Sequence, residues 1–354
     1  MKKILKTFGL AAVLFSAVTF NLTALDSGLF TGTAGTVRDD VQNIMDPIEW
    51  NTVKFDNVFG FTSLNSLYYG NLAAAFHVNG SNLLAIQWNG NLWSTIPSNS
   101  FTCLYGWDKN AIMVLYNQKK TMTTSVNGGN YTFDDYVNSF SFGAVYGRTI
   151  NEKFAFGLLA NYSTISGTLQ GTNQVLSASV INAAGDLYYT FKNDGKLKAK
   201  LVTGYTGTFT NWDIELLGTK TSYDASVNSI RAGVNLEYKP SSNFTYGLVA
   251  SVPFTFYDGG SYLQFLVKNG FSYAIQPEKF LLNMGLETVL PYILFPETGD
   301  TSYGTFGNTF YGGLSFFASD AVRIDLSAEV SLTDGISLDE IWTQNLDISL
   351  RMSF

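Results

Sequence analysis

From Thr343 to Phe354 the chain alternates without a break. Leu346, Ile348, Leu350, Met352 and Phe354 are apolar, while Asn345, Asp347, Ser349, Arg351 and Ser353 between them are polar. Successive side chains of a strand point to opposite faces. The segment therefore predicts a strand with one wholly apolar face and one face that carries charge. The pattern recurs upstream. Val322, Ile324, Leu326, Ala328 and Val330 oppose Arg323, Asp325, Ser327, Glu329 and Ser331. Ile230, Ala232, Val234, Leu236 and Tyr238 oppose Arg231, Gly233, Asn235, Glu237 and Lys239. Leu197, Ala199 and Leu201 oppose Lys196, Lys198 and Lys200. The second set in each pair is one that a water-filled lumen accepts and lipid rejects.

Composition places this alternation in a membrane. Hydrophobic residues make up 46% of the chain and charged ones 14%, whereas a soluble domain carries about 25% charge. The chain opens on Lys2, Lys3 and Lys6 and the apolar run from Phe8 to Val18, which read as a secretory signal peptide over residues 1–24. Beyond it no apolar run reaches roughly 18 residues, so helical spans are excluded and the apolar content must be carried by strands. The net charge of −7 argues against nucleic acid as a partner. The single Cys103 allows no internal disulfide.

Short polar turns fall at Asn79–Ser81, Asp108–Asn110, Asn151–Lys153, Asn193–Gly195, Pro240–Ser242, Pro277–Lys279 and Ser319–Asp320. Longer connections, such as Lys119–Asp135 and Asn211–Asp224, lie between them, as expected of tight periplasmic turns and longer outer loops. The expected fold is all-β, a closed antiparallel transmembrane barrel of about 14 strands over residues 51–354. Seven short turns imply about 16 strands if the marginal hairpin between residues 52 and 77 joins the wall instead of a plug. Aromatic residues near strand ends (Phe154, Tyr162, Tyr188, Phe191, Phe280 and Tyr292 among them) read as interfacial girdles.

Two resemblances follow from these residues. The final strand, with Leu346, Leu350, Met352 and a terminal Phe354 on its apolar face, resembles the β-signal by which bacterial outer-membrane proteins are recognised for assembly. It implies an outer-membrane location, with the barrel assembly machinery and outer-membrane lipid as partners. The second lies in residues 25–50. Thr36 followed by Asp39 suggests a helix start, and Val37, Val41 and Ile44 share one helical face. The small-residue stretch ending at Gly35, followed by Arg38, Asp39 and Asp40, resembles the N-terminal hatch of FadL-type hydrophobic-compound transporters. A spirochaete-type member of that group would suit the chain. The family's asparagine-proline-alanine-glycine signature is replaced by Asp46-Pro47-Ile48-Glu49, which leaves the subfamily open. The expectation is a short hatch inside the barrel, with a periplasmic tail as the alternative.

Candidate site residues lie on the polar strand faces. Arg323, Asp325 and Glu329 on the penultimate strand, and Asp347 and Arg351 on the last, bring mixed charge to one patch of wall, with Arg231, Glu237 and Lys239 elsewhere on the lumen face. They read either as a constriction whose field orders permeating solutes or as cross-strand ion pairs that stiffen the wall. The single histidine, His77, has no acid neighbour beside it in sequence, so no catalytic residue is expected. One histidine and one cysteine are too few ligands for zinc, and neither metal nor cofactor is expected. The expected function is an outer-membrane channel or passive transporter for small or hydrophobic solutes. The rival reading is a surface protein whose outer loops bind host or matrix ligands.

Overall fold

The computed structural model describes residues 36–38, 40–65, 69–91, 98–126, 129–296, 302–303, 307–332 and 346–353. The signal peptide, Gly35, Asp39 and Phe354 lie outside the described residues. Strands β1 (Val58–Asn65), β2 (Tyr69–Val78), β3 (Asn82–Asn91), β4 (Ser98–Trp107) and β5 (Asn110–Val126) come first. Then follow β6 (Gly129–Thr149), β7 (Phe154–Thr168), β8 (Val175–Asn193), β9 (Leu197–Leu216) and β10 (Thr219–Ser241). The chain continues through β11 (Phe244–Tyr257), β12 (Gly260–Gln276), β13 (Phe280–Pro296) and the two-residue β14 (Ser302–Tyr303). It ends with β15 (Gly307–Ser319), β16 (Val322–Leu332) and β17 (Leu346–Ser353).

Every neighbouring pair is antiparallel, and β1 pairs with β17 from Phe59 opposite Ser353 to Asn65 opposite Asp347, so the sheet closes on itself. Of its seventeen strands, β14 only lengthens the edge of β13 at Ile293 and Leu294. Sixteen strands therefore build the wall. The expectation of 14 is corrected to its alternative. The marginal hairpin is β1–β2, which pairs with β17 on one side and β3 on the other. Its periodicity is faint in sequence because Gly60, Gly70, Ala73, Ala74 and Ala75 put small residues on both faces.

The alternation sorts the two faces. On β7, Leu158 is 52% exposed while its neighbour Leu159 is 6% exposed. Large apolar side chains such as Leu72, Phe142, Ile181, Leu201 and Ile230 point outward and are exposed, whereas Asn161, Asn182 and Asn283 are buried within. That inversion of a soluble protein's plan is the signature of a barrel that meets lipid outside and a polar interior inside. The inner polar groups satisfy one another across strands: Gln87 donates to Asn71 (3.0 Å), Thr208 to Asn182 (2.8 Å) and Asn283 to Ser315 (3.1 Å).

All seven expected short turns lie at one end of the barrel, between the paired strand ends. The first uses Asn79 (φ 54°) and Gly80 (φ 81°), the residue pair a tight hairpin favours. At the other end, two stretches expected as long loops are instead strand. Residues 119–126 and 129–135 belong to the β5–β6 hairpin, and Asn211 pairs with Asp224 on β9–β10 up to a tip at Leu217–Gly218. β6 to β10 run 21, 15, 19, 20 and 23 residues, against about 10 needed to cross lipid. Their outer halves project past the membrane, held by cross-strand pairing and by a buried apolar cluster of Phe133, Ile165, Leu169, Leu176 and Trp212.

Candidate functional site

The interior is occupied at the turn end by the segment that precedes β1. Its helix α1 (Asp40–Ile44) buries Val41 and Ile44, one turn apart, and Met45 follows them inward. Asp46 ends the helix: its Oδ1 accepts the backbone N–H groups of Ile48 (2.7 Å) and Glu49 (3.3 Å). The Arg38 guanidinium pairs with Asp46 Oδ2 at 2.6 Å. The carboxylate that organises the local turn therefore also ties the segment back on itself. A 3-10 turn at Trp50–Thr52 leads to β1, so the segment runs to Asn57, past the expected boundary at Trp50.

Bare backbone on the wall lets this segment lie close. A Cβ on Gly106 of β4 would stand 2.6 Å from the Trp50 ring. One on Gly147 of β6 would stand 2.4 Å from the Pro47 carbonyl oxygen, and one on Gly247 of β11 2.3 Å from that of Thr36. These strands lie on different sides of the barrel, so the segment spans the lumen. Val41, Ile44, Met45 and Trp50 form one apolar cluster with inner residues of β1 to β7, among them Phe59, Phe61, Leu83, Leu104 and Met113.

The other side of the segment is held by charge. Glu49 pairs with Lys198 (3.3 Å) and Lys200, both on the inner face of β9. Burial alone would raise the Glu49 carboxyl; Lys200 and Lys198 outweigh it and bring the group down to about 2. Sequence reading placed Lys198 and Lys200 on the polar face but gave them no partner. Glu49 was visible only as a departure from the FadL-type signature, and two lysines on one lumen face with no acid beside them were the available signal.

Of the expected hatch residues, Arg38 meets Asp46, and Asp40 begins α1 with an exposed side chain. Among the expected lumen charges, the structure brings together Arg323, Asp325 and Arg351. Asp325 takes Arg323 Nε at 2.7 Å and lies 2.9 Å from Arg351 Nε, with Ser349 donating at 3.3 Å. Asp325, Asp347 and Arg351 are all buried. Glu329 accepts from Ser331 (3.4 Å). Arg231 pairs instead with Asp186 of β8 across Gly204 of β9, where a Cβ would stand 1.9 Å from Asp186 Oδ1. Glu237 pairs with Lys239 at 2.6 Å on the same strand. Sequence reading missed Asp186 and a third cluster, in which Lys268 pairs with Glu287 (3.1 Å) and Tyr311 donates to the same carboxylate (3.1 Å).

Tyr188 is a further correction. It shares the inner face with Asp186, to which its hydroxyl donates at 3.5 Å, and so is not part of a girdle. The His77 ring stacks on Phe55 of the segment at 4.4 Å. Leu350 and Met352 share the outward face with Ile348, and Leu346 pairs with Ala328.

No protein-family model matches the sequence, and no curated protein matches it. Solved structures do resemble the fold. The CymD monoaromatic hydrocarbon channel aligns over 94% of this chain and 99% of its own, at 9% identity and a TM-score of 0.45. The P. putida toluene transporter TodX aligns over 94% and 99%, at 10% identity and a TM-score of 0.44. CdiB from Acinetobacter baumannii aligns over 84% of this chain and 60% of its own, at 11% identity and a TM-score of 0.50. At these identities the likeness is one of fold. With its apolar outer face, the chain is an outer-membrane β-barrel protein.

Proposed function

We propose that the protein is a passive outer-membrane channel whose lumen is closed at rest by residues 36–57, and that small, largely apolar solutes pass when this segment yields. The observation that carries the reading is the seat of the segment: Val41, Ile44 and Met45 are each no more than 2% exposed, and Thr36, Pro47 and Trp50 lie close against wall glycines. The solute class follows from what lies beneath. If the segment moves, the face it uncovers on β1 to β7 is the apolar one, with Phe59, Phe61, Leu104 and Met113, and an apolar lining favours apolar solutes. No chemistry is done on the solute in this reading.

Conductance in planar bilayers tests it, comparing the mature chain with a variant lacking Asp26–Trp50. A silent or rarely opening full chain and a steadily conducting truncated one are expected. Steady, equal conductance from both would show that the segment does not close the lumen. Silence from both, with both folded, would overturn the channel reading and favour surface binding.

A further inference from the structure

A cavity of about 780 Å³ lies at the turn end of the barrel, apart from the charged clusters of the lumen. It forms where the segment, through Trp50 and Asn51, meets the β2–β3 hairpin (His77, Ser81, Asn82) and the β4–β5 hairpin (Tyr105, Trp107, Asp108). Its lining passes over the rim. His77 stands on the inner face, whereas Tyr105 and Ile112 are exposed on the outer face that meets lipid. One end of the cavity thus borders the interior and the other the apolar outer face at the turn end.

The chemistry of the lining is asymmetric. Asp108 is its one carboxylate, and no lysine or arginine among the described residues lines it. The aromatic rings of Trp50, Trp107 and Tyr105 also line it, the last two stacked at 5.7 Å. The Tyr105 oxygen accepts from Asn82 Nδ2 at 2.9 Å, which fixes that ring at the rim. Asp108 occupies a tight turn at φ 50°, a backbone region that aspartate and asparagine tolerate. A lone carboxylate among aromatic faces attracts a cation, and aromatic rings suit an ammonium in particular. Ser81, Asn51 and Asn82 supply uncharged donors of the kind a phosphate accepts. The volume is in the usual range for small-ligand sites, about 300–1,000 Å³.

We infer that this cavity holds the headgroup of an ammonium-bearing zwitterionic phospholipid of the inner leaflet, the ammonium at Asp108 and the acyl chains along Tyr105 and Ile112 on the outer wall. The site needs only the seated segment and does not depend on whether the lumen conducts.

The test is native mass spectrometry of the full mature chain released from mixed bilayers of phosphatidylethanolamine and phosphatidylglycerol. One phosphatidylethanolamine retained per barrel is expected, with phosphatidylglycerol not retained. Asp108→Asn, which keeps the turn, should lower retention about tenfold, as loss of one charge-assisted contact would. Trp107→Ala should lower it too, and Lys109→Gln should leave it unchanged. Equal retention of the two lipids, or wild-type retention by Asp108→Asn, would overturn the assignment. Soluble phosphoethanolamine is the remaining arm: displacement of the lipid at equimolar concentration would overturn the membrane source.

Discussion

Replacing Glu49 by glutamine removes the carboxylate that ties the segment to β9 and leaves Lys198 and Lys200 without it. Glu49 and Lys200 side chains are 13% and 16% exposed, and Lys198 is 36% exposed. Breaking a fully buried ion pair costs about 3–5 kcal/mol. The depression of Glu49 from 4.5 to about 2 corresponds to about 3–4 kcal/mol at most, at roughly 1.36 per pKa unit. Water in the lumen and the exposure of Lys198 screen part of this, so about 2 kcal/mol is the working figure. That shifts the ratio of displaced to seated segment about thirtyfold. The assay is solute flux into liposomes carrying many barrels, where Glu49→Gln should conduct about thirtyfold faster than wild type and Glu49→Asp fall between. Raising KCl from about 0.1 to 1 M shortens the screening length from about 10 to 3 Å, so wild-type flux should rise and Glu49→Gln flux should not. The pH dependence has a defined sign. A depressed carboxyl contributes fully above its ordinary value and loses that contribution as pH falls. The latch is therefore flat from pH 8 to 5 and opens only as pH falls from about 4 toward 2. Flux from Glu49→Gln within twofold of wild type would refute the reasoning.

Further outcomes follow from the same geometry. Gly147→Val puts its Cβ within 2.4 Å of the Pro47 carbonyl oxygen; the segment should unseat and conductance rise, while the barrel still migrates as a folded species on unboiled gels. Arg231→Met leaves Asp186, 6% exposed, without its cation, and should lower stability to urea in liposomes by about 3 kcal/mol; unchanged stability would show the pair to be dispensable. Met352→Asp places a charge on the outward face of the closing strand near its turn end, at a cost of about 1 kcal/mol or less, and should reduce assembled barrel in outer-membrane fractions, as should deletion of Phe354.

The wall was legible because its signal is local. Strands such as Val322–Leu332 change character at every residue, and turns such as Asn79-Gly80 are marked by residues that tolerate positive φ. The strand count was blurred where both faces are small, as at Ala73-Ala74-Ala75, since alternation needs a contrast to be read. The outer ends of β9 and β10 were misread as loops for another reason. Their apolar contacts are made across strands, as where Trp212 stacks on Tyr223 at 4.3 Å, and residues such as Asn211 and Asp224, which hydrogen-bond at 2.7 Å across the hairpin, look like loop residues singly. The interior was legible only as polarity. Which charge meets which depends on shear and on gaps in the wall: Asp186 reaches Arg231 only because Gly204 stands between them, and Glu49 reaches Lys200 across 151 residues of chain.

The inner surface is divided, and the division bears on how the segment would move. Towards β1 to β7 its contacts are apolar, made by Val41, Ile44, Met45 and Trp50. Towards β9 they are the ion pairs of Glu49. Ion pairs in a wet lumen are weakened by salt and by water reaching the charges, whereas a packed apolar cluster is not screened and loses its burial on separation. Loosening therefore begins on the β9 side, with the apolar cluster as the hinge. On this reading the wall's own Asp186–Arg231 pair does not need to move. Gly106 and Gly147 lie where Trp50 and Pro47 meet the wall, so filling Gly147 is expected to act on closure and removing Arg231 on the wall.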